Sequence, residues 1–339
     1  MKILAVRLDS DGDVLLAGPA IRALAAAGSV TLLCGPRGRQ AADLLPGVDD
    51  VVVWPCPWIE AAPDAVDPVD VDALVARLHA TNLDEAVVFT SFHQSALPTA
   101  LLLRLAGIRR ISAISEDYPG ALLDVRHRVD DSAPASDVPE SERALSLAAA
   151  AGFPLPAHDD GRLAVRRPLP TTTSLTGAEP YVVLHPGASV PARAWPAHRA
   201  AETVVALSER GVRVVVTGSR DEKELTAGVA GVDAVDLGGR TTFAELASVL
   251  AGAEAVIVAN TGPAHLAAAV GTPVVSLFAP TVPAARWAPY GVPAVVLGDQ
   301  AAPCRSTRAT TCPVPSHPCL SSVTAADVLA ALDRLRAGS

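Results

Sequence analysis

The sequence predicts an α/β protein of two Rossmann-like, doubly wound domains facing a cleft, and three observations point there. Short runs rich in Val, Ile and Leu recur between helix-like segments, the pattern of parallel strands buried on both faces. That series occurs once in each half of the 339 residues, a length about twice the roughly 150 residues of a common domain. Between the halves, Leu155 to Pro180 is rich in proline, carries a Thr-Thr-Thr-Ser run and holds one short apolar patch, Leu163 to Val165, which is linker-like composition.

In the first half the strand candidates are Ile3 to Leu8, Val30 to Cys34, Val51 to Trp54, Ala86 to Thr90 and Ile111 to Ile114. Helices are expected between them, notably Val69 to His79 and Leu97 to Leu105. The second series runs Tyr181 to His185, Val212 to Thr217, Val235 to Leu237, Ala255 to Ala259 and Val274 to Phe278. Its helices are expected near His198 to Glu209, Glu222 to Val229, Phe243 to Leu250 and Ala264 to Val270. Ala325 to Leu335 has apolar residues at helical spacing and follows Thr324, a side chain suited to an N-cap. The expected organisation is an N-terminal domain over 1–168, a C-terminal domain over 169–322 and a last segment, 323–339, packing back on the N-terminal domain. Facing domains of this kind bring the carboxyl ends of both sheets to one cleft, the usual ligand position in open α/β sheets.

Half of the residues are hydrophobic and 19% are charged, which excludes a disordered chain and supplies two cores. With 27 basic against 36 acidic residues the net charge is −9, so the mean field repels nucleic acid and anionic surfaces. The opening apolar run meets Arg7 too soon for a secretory signal. The uncharged stretch Ala255 to Ala285 is broken by Asn260, Gly262, Pro263, His265, Gly271 and Pro273, unlike a bilayer span. Cytoplasmic residence is expected, either free or in peripheral contact with the inner face of the membrane.

Directly after the first strand the chain reads Arg7-Leu8-Asp9-Ser10-Asp11-Gly12-Asp13, three carboxylates where a site would lie. Gly12 permits a sharp turn there, and Asp13 near a helix N-terminus gains about 0.3 to 1 kcal/mol from the helix dipole, so capping alone accounts for an acid. The helix proper starts either at Asp13, with a kink at Gly18-Pro19, or at Pro19 as a first-turn proline. The acids do not form a calcium loop, because the twelfth position counted from Asp9 is Ala20 where a bidentate Glu is required. Asp9-Ser10-Asp11 also has the spacing of a metal-holding D-x-D motif. The remaining reading is a general base that takes a proton from an attacking hydroxyl.

Three polar breaks end strands in the second half: His185-Pro186-Gly187-Ala188-Ser189, Thr217-Gly218-Ser219-Arg220-Asp221-Glu222 and Asn260-Thr261-Gly262-Pro263-Ala264-His265. Gly262, with a helix starting near Pro263, offers backbone N–H groups to an anion, and His265 one turn in adds a donor.

Taken together, these residues resemble glycosyltransferase family 9, the heptosyltransferases, over nearly the whole chain. The resemblance rests on Ile3 to Leu16 with Pro19-Ala20-Ile21-Arg22-Ala23-Leu24, on His185 to Ser189 with Arg193-Ala194-Trp195-Pro196, and on Gly239-Arg240-Thr241. It extends through Thr261 to Ala269, Gly271 to Phe278 and Trp287-Ala288-Pro289-Tyr290-Gly291.

The resemblance implies the GT-B glycosyltransferase architecture and a metal-independent, inverting transfer of a heptose from a nucleotide diphosphate donor, ADP-heptose, to a hydroxyl acceptor. The acceptor would be a glycan, a lipid-linked glycan or a small molecule, lying against the N-terminal domain; no metal and no cofactor are implied. It implies Asp13 as the base, with Asp9, Asp11 and Gly12 on the acceptor side. On the donor side it implies Gly187, Ser189, Arg193, Glu222, Arg240, Thr241, Asn260, Thr261, Gly262, Pro263 and His265. Arg193 stands where the family usually has Lys, and either cation neutralises a diphosphate. Glu222 falls near the nucleoside-contacting acid, with Asp221 and Glu224 close in sequence. Asn260 replaces a common Asp, which removes an acceptor-only group from the sugar side.

Two other readings use the same architecture: a nucleotide-sugar epimerase, which needs no acceptor, and a non-catalytic nucleotide-sugar binder. Cys304, Cys312, His317 and Cys319 offer soft ligands, but their spacing differs from the paired cysteines of zinc sites. Trp54 and Trp58, flanked by Pro55 and Pro57, either line an acceptor groove or fill a loop core, and the core is the expected reading.

Overall fold

The computed structural model describes residues 1–60, 62–129 and 137–338. It divides into two units, Met1–Val165 and Arg166–Ser339.

In the first unit β1 (Lys2–Arg7) is buried at every residue after Lys2, as a central parallel strand must be. Around it lie β2 (Ser29–Cys34), β3 (Asp50–Val53), β4 (Glu85–Val88), β5 (Arg110–Ile114) and β6 (Val125–His127), in the order β3-β2-β1-β4-β5-β6. All pairs are parallel, with Ile3 opposite Val30 on one side and Glu85 on the other. Helices α1 (Asp11–Leu16), α2 (Gly18–Ala25), α3 (Arg39–Leu44), α4 (Pro68–Ala80), α5 (Leu97–Leu105) and α6 (Glu140–Ala150) cover the sheet. Leu4 and Val6 share a core with Leu74 and Leu78 of α4 and Leu103 of α5, while α2 packs on α6 and on β1 and β2. Because the chain leaves β1 toward β2 and returns to β4 on the other side, the loops after β1 and β4 diverge and leave an opening between them.

The second unit repeats the plan. Strands β7 (Val182–His185), β8 (Val214–Val216), β9 (Ala234–Asp236), β10 (Val256–Ala259), β11 (Val274–Leu277) and β12 (Ala294–Leu297) form a parallel sheet in the order β12-β11-β10-β7-β8-β9. Its helices are α7 (Thr173–Thr176), α8 (Ala197–Glu209), α9 (Lys223–Ala230), α10 (Phe243–Ala251), α11 (Gly262–Val270), α12 (Ala284–Trp287), α13 (Pro318–Ser321) and α14 (Ala325–Ala337). Here the divergence falls between β7 and β10. The predicted α/β class with two doubly wound sheets is therefore observed, with strand and helix positions within a few residues of expectation.

Several expectations need correction. The C-terminal helix α14, expected against the N-terminal domain, contributes to the second core: Val328, Leu332 and Leu335 join Val182, Val204 of α8 and Leu277, and α14 lies against α8, β11 and β12. Thr324 does cap it, through a capping box with Asp327. The division between units falls after Val165 rather than after residue 168. The sequence pattern did not reveal β6, β12, α3 or α6. Finally, the first helix starts at Asp11 and a second starts at Gly18, the junction lying at Ala17.

Candidate active site

In the first unit the site grows from one buried cation. Arg7 closes β1 with its side chain only 4% exposed, and burying a guanidinium costs several kcal/mol, about as much as its partners must return. Arg7 Nε lies 3.1 Å from Asp9 Oδ2, and Nη2 donates to Asp13 Oδ1 at 3.1 Å and to Ser91 Oγ, beyond β4, at 2.8 Å. Burial lowers the Arg7 pKa, but the fields of Asp9, Asp13 and Glu140 outweigh it and leave the group above its usual value. Asp9 is held from both sides, its Oδ1 accepting Gln94 Nε2 at 2.5 Å. Burial pushes the Asp9 carboxyl up, against the pull of Arg7. Asp13 Oδ2 accepts Ser10 Oγ at 2.9 Å.

Asp11 does not join this group. Its Oδ1 accepts the backbone N–H of Ala41 at 2.8 Å, in the first turn of α3, whose own N-cap position is Gly38 and has no capping side chain. Asp11 thus caps α3 from across the fold. A side chain at Gly38 is barred, since a Cβ there would sit 2.7 Å from Val14 Cγ2 and 3.0 Å from the Asp9 carbonyl oxygen. Burial pushes the Asp11 carboxyl up to about 6, the Ala41 N–H opposing it. Gly12 makes no sharp turn; it is a buried residue in the first turn of α1.

In the second unit, three strand ends carry the candidates. After β8, Ser219 and Glu222 form a capping box, with Glu222 Oε2 accepting the Ser219 N–H at 2.7 Å. This turns Glu222 toward the β7 end, 3.9 Å from His185 Nε2, whereas Asp221 and Glu224 are exposed. His185 Nδ1 pairs with Thr217 Oγ1 at 3.0 Å, and burial pushes the imidazole pKa down against the field of Glu222. Gly187 lies close against Glu222: a Cβ there would come 2.0 Å from Glu222 Oε1 and displace the carboxylate. Ser189 is exposed.

After β10, Arg193 Nη1 reaches the Asn260 carbonyl oxygen at 3.5 Å, which brings together two residues 67 positions apart in the chain. Asn260 is buried, its Oδ1 accepting the Ala279 N–H at 3.3 Å while its Nδ2 has no partner among the described residues. Helix α11 begins at Gly262 with Pro263 in its first turn. The Thr261 amide donates to Ala259 O at 2.8 Å. His265 is buried one turn into α11. Arg240 Nη1 donates to Asp236 O at 3.1 Å, holding Arg240 and Thr241 at the end of β9.

Arg7, Ser91 and Gln94 escaped sequence reasoning. Arg7 carried a signal, a charged residue ending a wholly apolar central strand; Ser91 and Gln94 carried none. Trp54 and Trp58 pack edge to face with ring centroids 5.3 Å apart, Trp54 in the core as expected. Among the described residues no group of three His, Cys, Asp or Glu is arranged to hold a metal ion. No helix among them is long and apolar enough to cross a membrane.

Two doubly wound parallel sheets with polar loops at their switch points are the architecture of GT-B glycosyltransferases. The chain is similar in fold to the E. coli ADP-heptose lps heptosyltransferase II (TM-score 0.73, 20% identity, 100% of this chain and 99% of that one). It is likewise similar to E. coli heptosyltransferase WaaC with ADP-2-deoxy-2-fluoro heptose (TM-score 0.74, 24% identity, 98% and 99%). The description of glycosyltransferase family 9 (heptosyltransferase) matches residues 72–317, and the chain belongs to that family. Among curated relatives, lipopolysaccharide heptosyltransferase 3 of Escherichia coli is 33% identical over 164 residues, covering 46% of each chain. Lipopolysaccharide heptosyltransferase 1 of Pseudomonas aeruginosa is 38% identical over 129 residues, 37% of this chain and 36% of its own. The chain thus spans less than half the length of the curated relatives it matches.

Proposed function

We propose that this family 9 member is a metal-independent, inverting heptosyltransferase that moves heptose from ADP-heptose to a hydroxyl of a lipopolysaccharide-type acceptor. The observation that carries the reading is the sorting of the three acids. Asp9 is tied to Arg7 and Gln94 with its side chain 13% exposed and Asp11 caps a helix, whereas Asp13, also held by Arg7, is 21% exposed, and proton transfer is assigned to it.

In this reading Asp13 takes the proton of the acceptor hydroxyl as that oxygen attacks the anomeric carbon. The new C–O bond forms as the bond to the diphosphate oxygen breaks, the anomeric centre inverts, and the leaving electron pair goes to ADP. Arg193, His265, the Gly262 amide and the N-terminal dipole of α11 offset the charge that develops on the diphosphate. Glu222, beside Gly187, faces the nucleoside. The unpartnered Asn260 Nδ2 donates to the donor sugar or phosphate, in place of the acceptor-only carboxylate common in the family.

The test is a thermal-shift and product assay run in EDTA. Stabilisation by ADP and ADP-heptose, with heptose recovered on an added lipopolysaccharide core, is the expected result. A strict need for Mg²⁺ or Mn²⁺ would overturn the metal-independent reading. Isomerised donor without transfer would favour an epimerase, and binding without turnover a non-catalytic binder.

A further inference from the structure

We infer that Arg7 is a positioning residue for Asp13, the centre of a closed polar ring that fixes the carboxylate from beneath. The inference rests on Asp13 being the base. Arg7 uses its fork in two directions: Nε faces Asp9, and Nη2 serves both Asp13 and Ser91. Gln94 closes the ring, donating to Asp9 Oδ1 while its Oε1 accepts the Ser91 N–H at 3.0 Å. The ring therefore joins the ends of β1 and β4, the two strands whose loops diverge. From α6, Arg143 Nη1 donates to the Thr90 carbonyl oxygen at 2.6 Å and pins the β4 end to the same layer.

This arrangement does more than satisfy a buried cation. With Arg7 bound at Oδ1 and Ser10 at Oδ2, Asp13 is restrained at both oxygens, and its rotamer is set before any acceptor arrives. Asp9 acts in the opposite sense, as the counter-ion whose Oδ2 lies 3.1 Å from Arg7 Nε while Gln94 holds its Oδ1. A planar fork is needed for this, since an ammonium is a point charge and does not span both carboxylates and Ser91 in fixed geometry. The charged groups around the pair are Asp9 on the same loop, Glu140 and Arg143 on α6, Arg37 ahead of α3, and Asp11 turned toward α3.

The experiment is an NMR titration of the whole protein carrying ¹³C-carboxyl aspartate, with the Asp13 signal assigned by its loss in Asp13→Asn. Arg7→Met is expected to raise the Asp13 midpoint by about one unit or more, and Arg7→Lys by less than half as much. Asp9→Asn is expected to lower it, since a competing negative charge is removed and Arg7 is left to Asp13. In transfer assays Arg7→Met and Arg7→Lys both lose kcat, while the dissociation constant for ADP is unchanged. An Asp13 midpoint that stays put in Asp9→Asn overturns the inference, whether or not Arg7→Met folds. Full turnover by Asp13→Asn would instead remove the base reading, and the titrations would still report whether Arg7 governs Asp13.

Discussion

Arg7 Nη2 and Asp13 Oδ1 lie 3.1 Å apart although one residue ends a strand and the other belongs to the first turn of a helix. That contact separates three carboxylates that stand within five residues of one another. Asp9 balances the buried cation, Asp11 serves another helix, and Asp13 keeps one edge toward solvent.

The first consequence concerns turnover. Asp13→Asn preserves size and keeps one of the two acceptor oxygens that Arg7 and Ser10 use, but it removes the proton acceptor, so kcat should fall by about 10² to 10⁴. Calorimetry should show ADP binding unchanged. Near-normal kcat in this variant would rule out Asp13 as the base.

Asp11 makes a prediction about pH. Its folded-state pKa of about 6 lies above the ordinary carboxylate value of 3.8, so the native state holds this proton more tightly than the unfolded chain. The contribution is full below pH 3.8 and is lost as pH rises through 6, a loss on the order of 2 to 3 kcal/mol. Asp11→Asn keeps an acceptor for the Ala41 N–H and carries no charge. It should raise stability at pH 8 relative to wild type and flatten this part of the pH profile in urea denaturation. Equal pH dependence in both proteins would contradict the burial argument.

Gly187→Ala should act through Glu222. The added Cβ would meet the end of a flexible side chain, so the fold yields cheaply, by about 1 kcal/mol, as the bond to Ser219 is disturbed. ADP affinity should drop about tenfold if the displaced carboxylate contacts the nucleoside, on the scale of one lost hydrogen bond to a charged group. An unchanged dissociation constant would take Glu222 out of the donor site.

Arg193 tests charge against geometry. Arg193→Ala should weaken ADP binding about tenfold or more, the size of one charge-assisted contact, and Arg193→Lys should restore most of it. Equal binding by all three proteins in EDTA would mean that other groups carry the diphosphate.

Leu332→Ala examines the placement of α14. The side chain is buried in the second core, and truncation should cost about 2 to 5 kcal/mol. Hydrogen exchange should rise in α8, β11 and β12. Unchanged exchange in these three elements would contradict the observed docking.

What could be read from the sequence is what local pattern determines. Central strands such as β1 and β10 are buried on both faces and appear as unbroken apolar runs; α5 lies over the residues where helical spacing places it, and the Thr324 cap is a local signal. Of the four edge strands, β3 and β9 were predicted and β6 and β12 were missed: β6 reads Val-Arg-His and shows no apolar run, and β12 is a short apolar run whose residues alternate between exposed and partly buried. Helix α6 opens with Glu, Ser, Glu and Arg, three of which are buried through tertiary contacts, and so reads as surface.

The sequence by itself determined the two-sheet α/β class, the strand-end loops and the family resemblance, because burial periodicity and motif spacing are properties of neighbouring residues. Only the tertiary structure decided which acid does what, and where the last helix docks. Asp9, Asp11 and Asp13 look alike along the chain, and their partners Gln94, Ala41 and Arg7 arrive 85, 30 and 6 residues away. A carboxylate's chemistry is set by the charges and donors around it in space, and those are assembled only when the β1 and β4 ends and α3 come together.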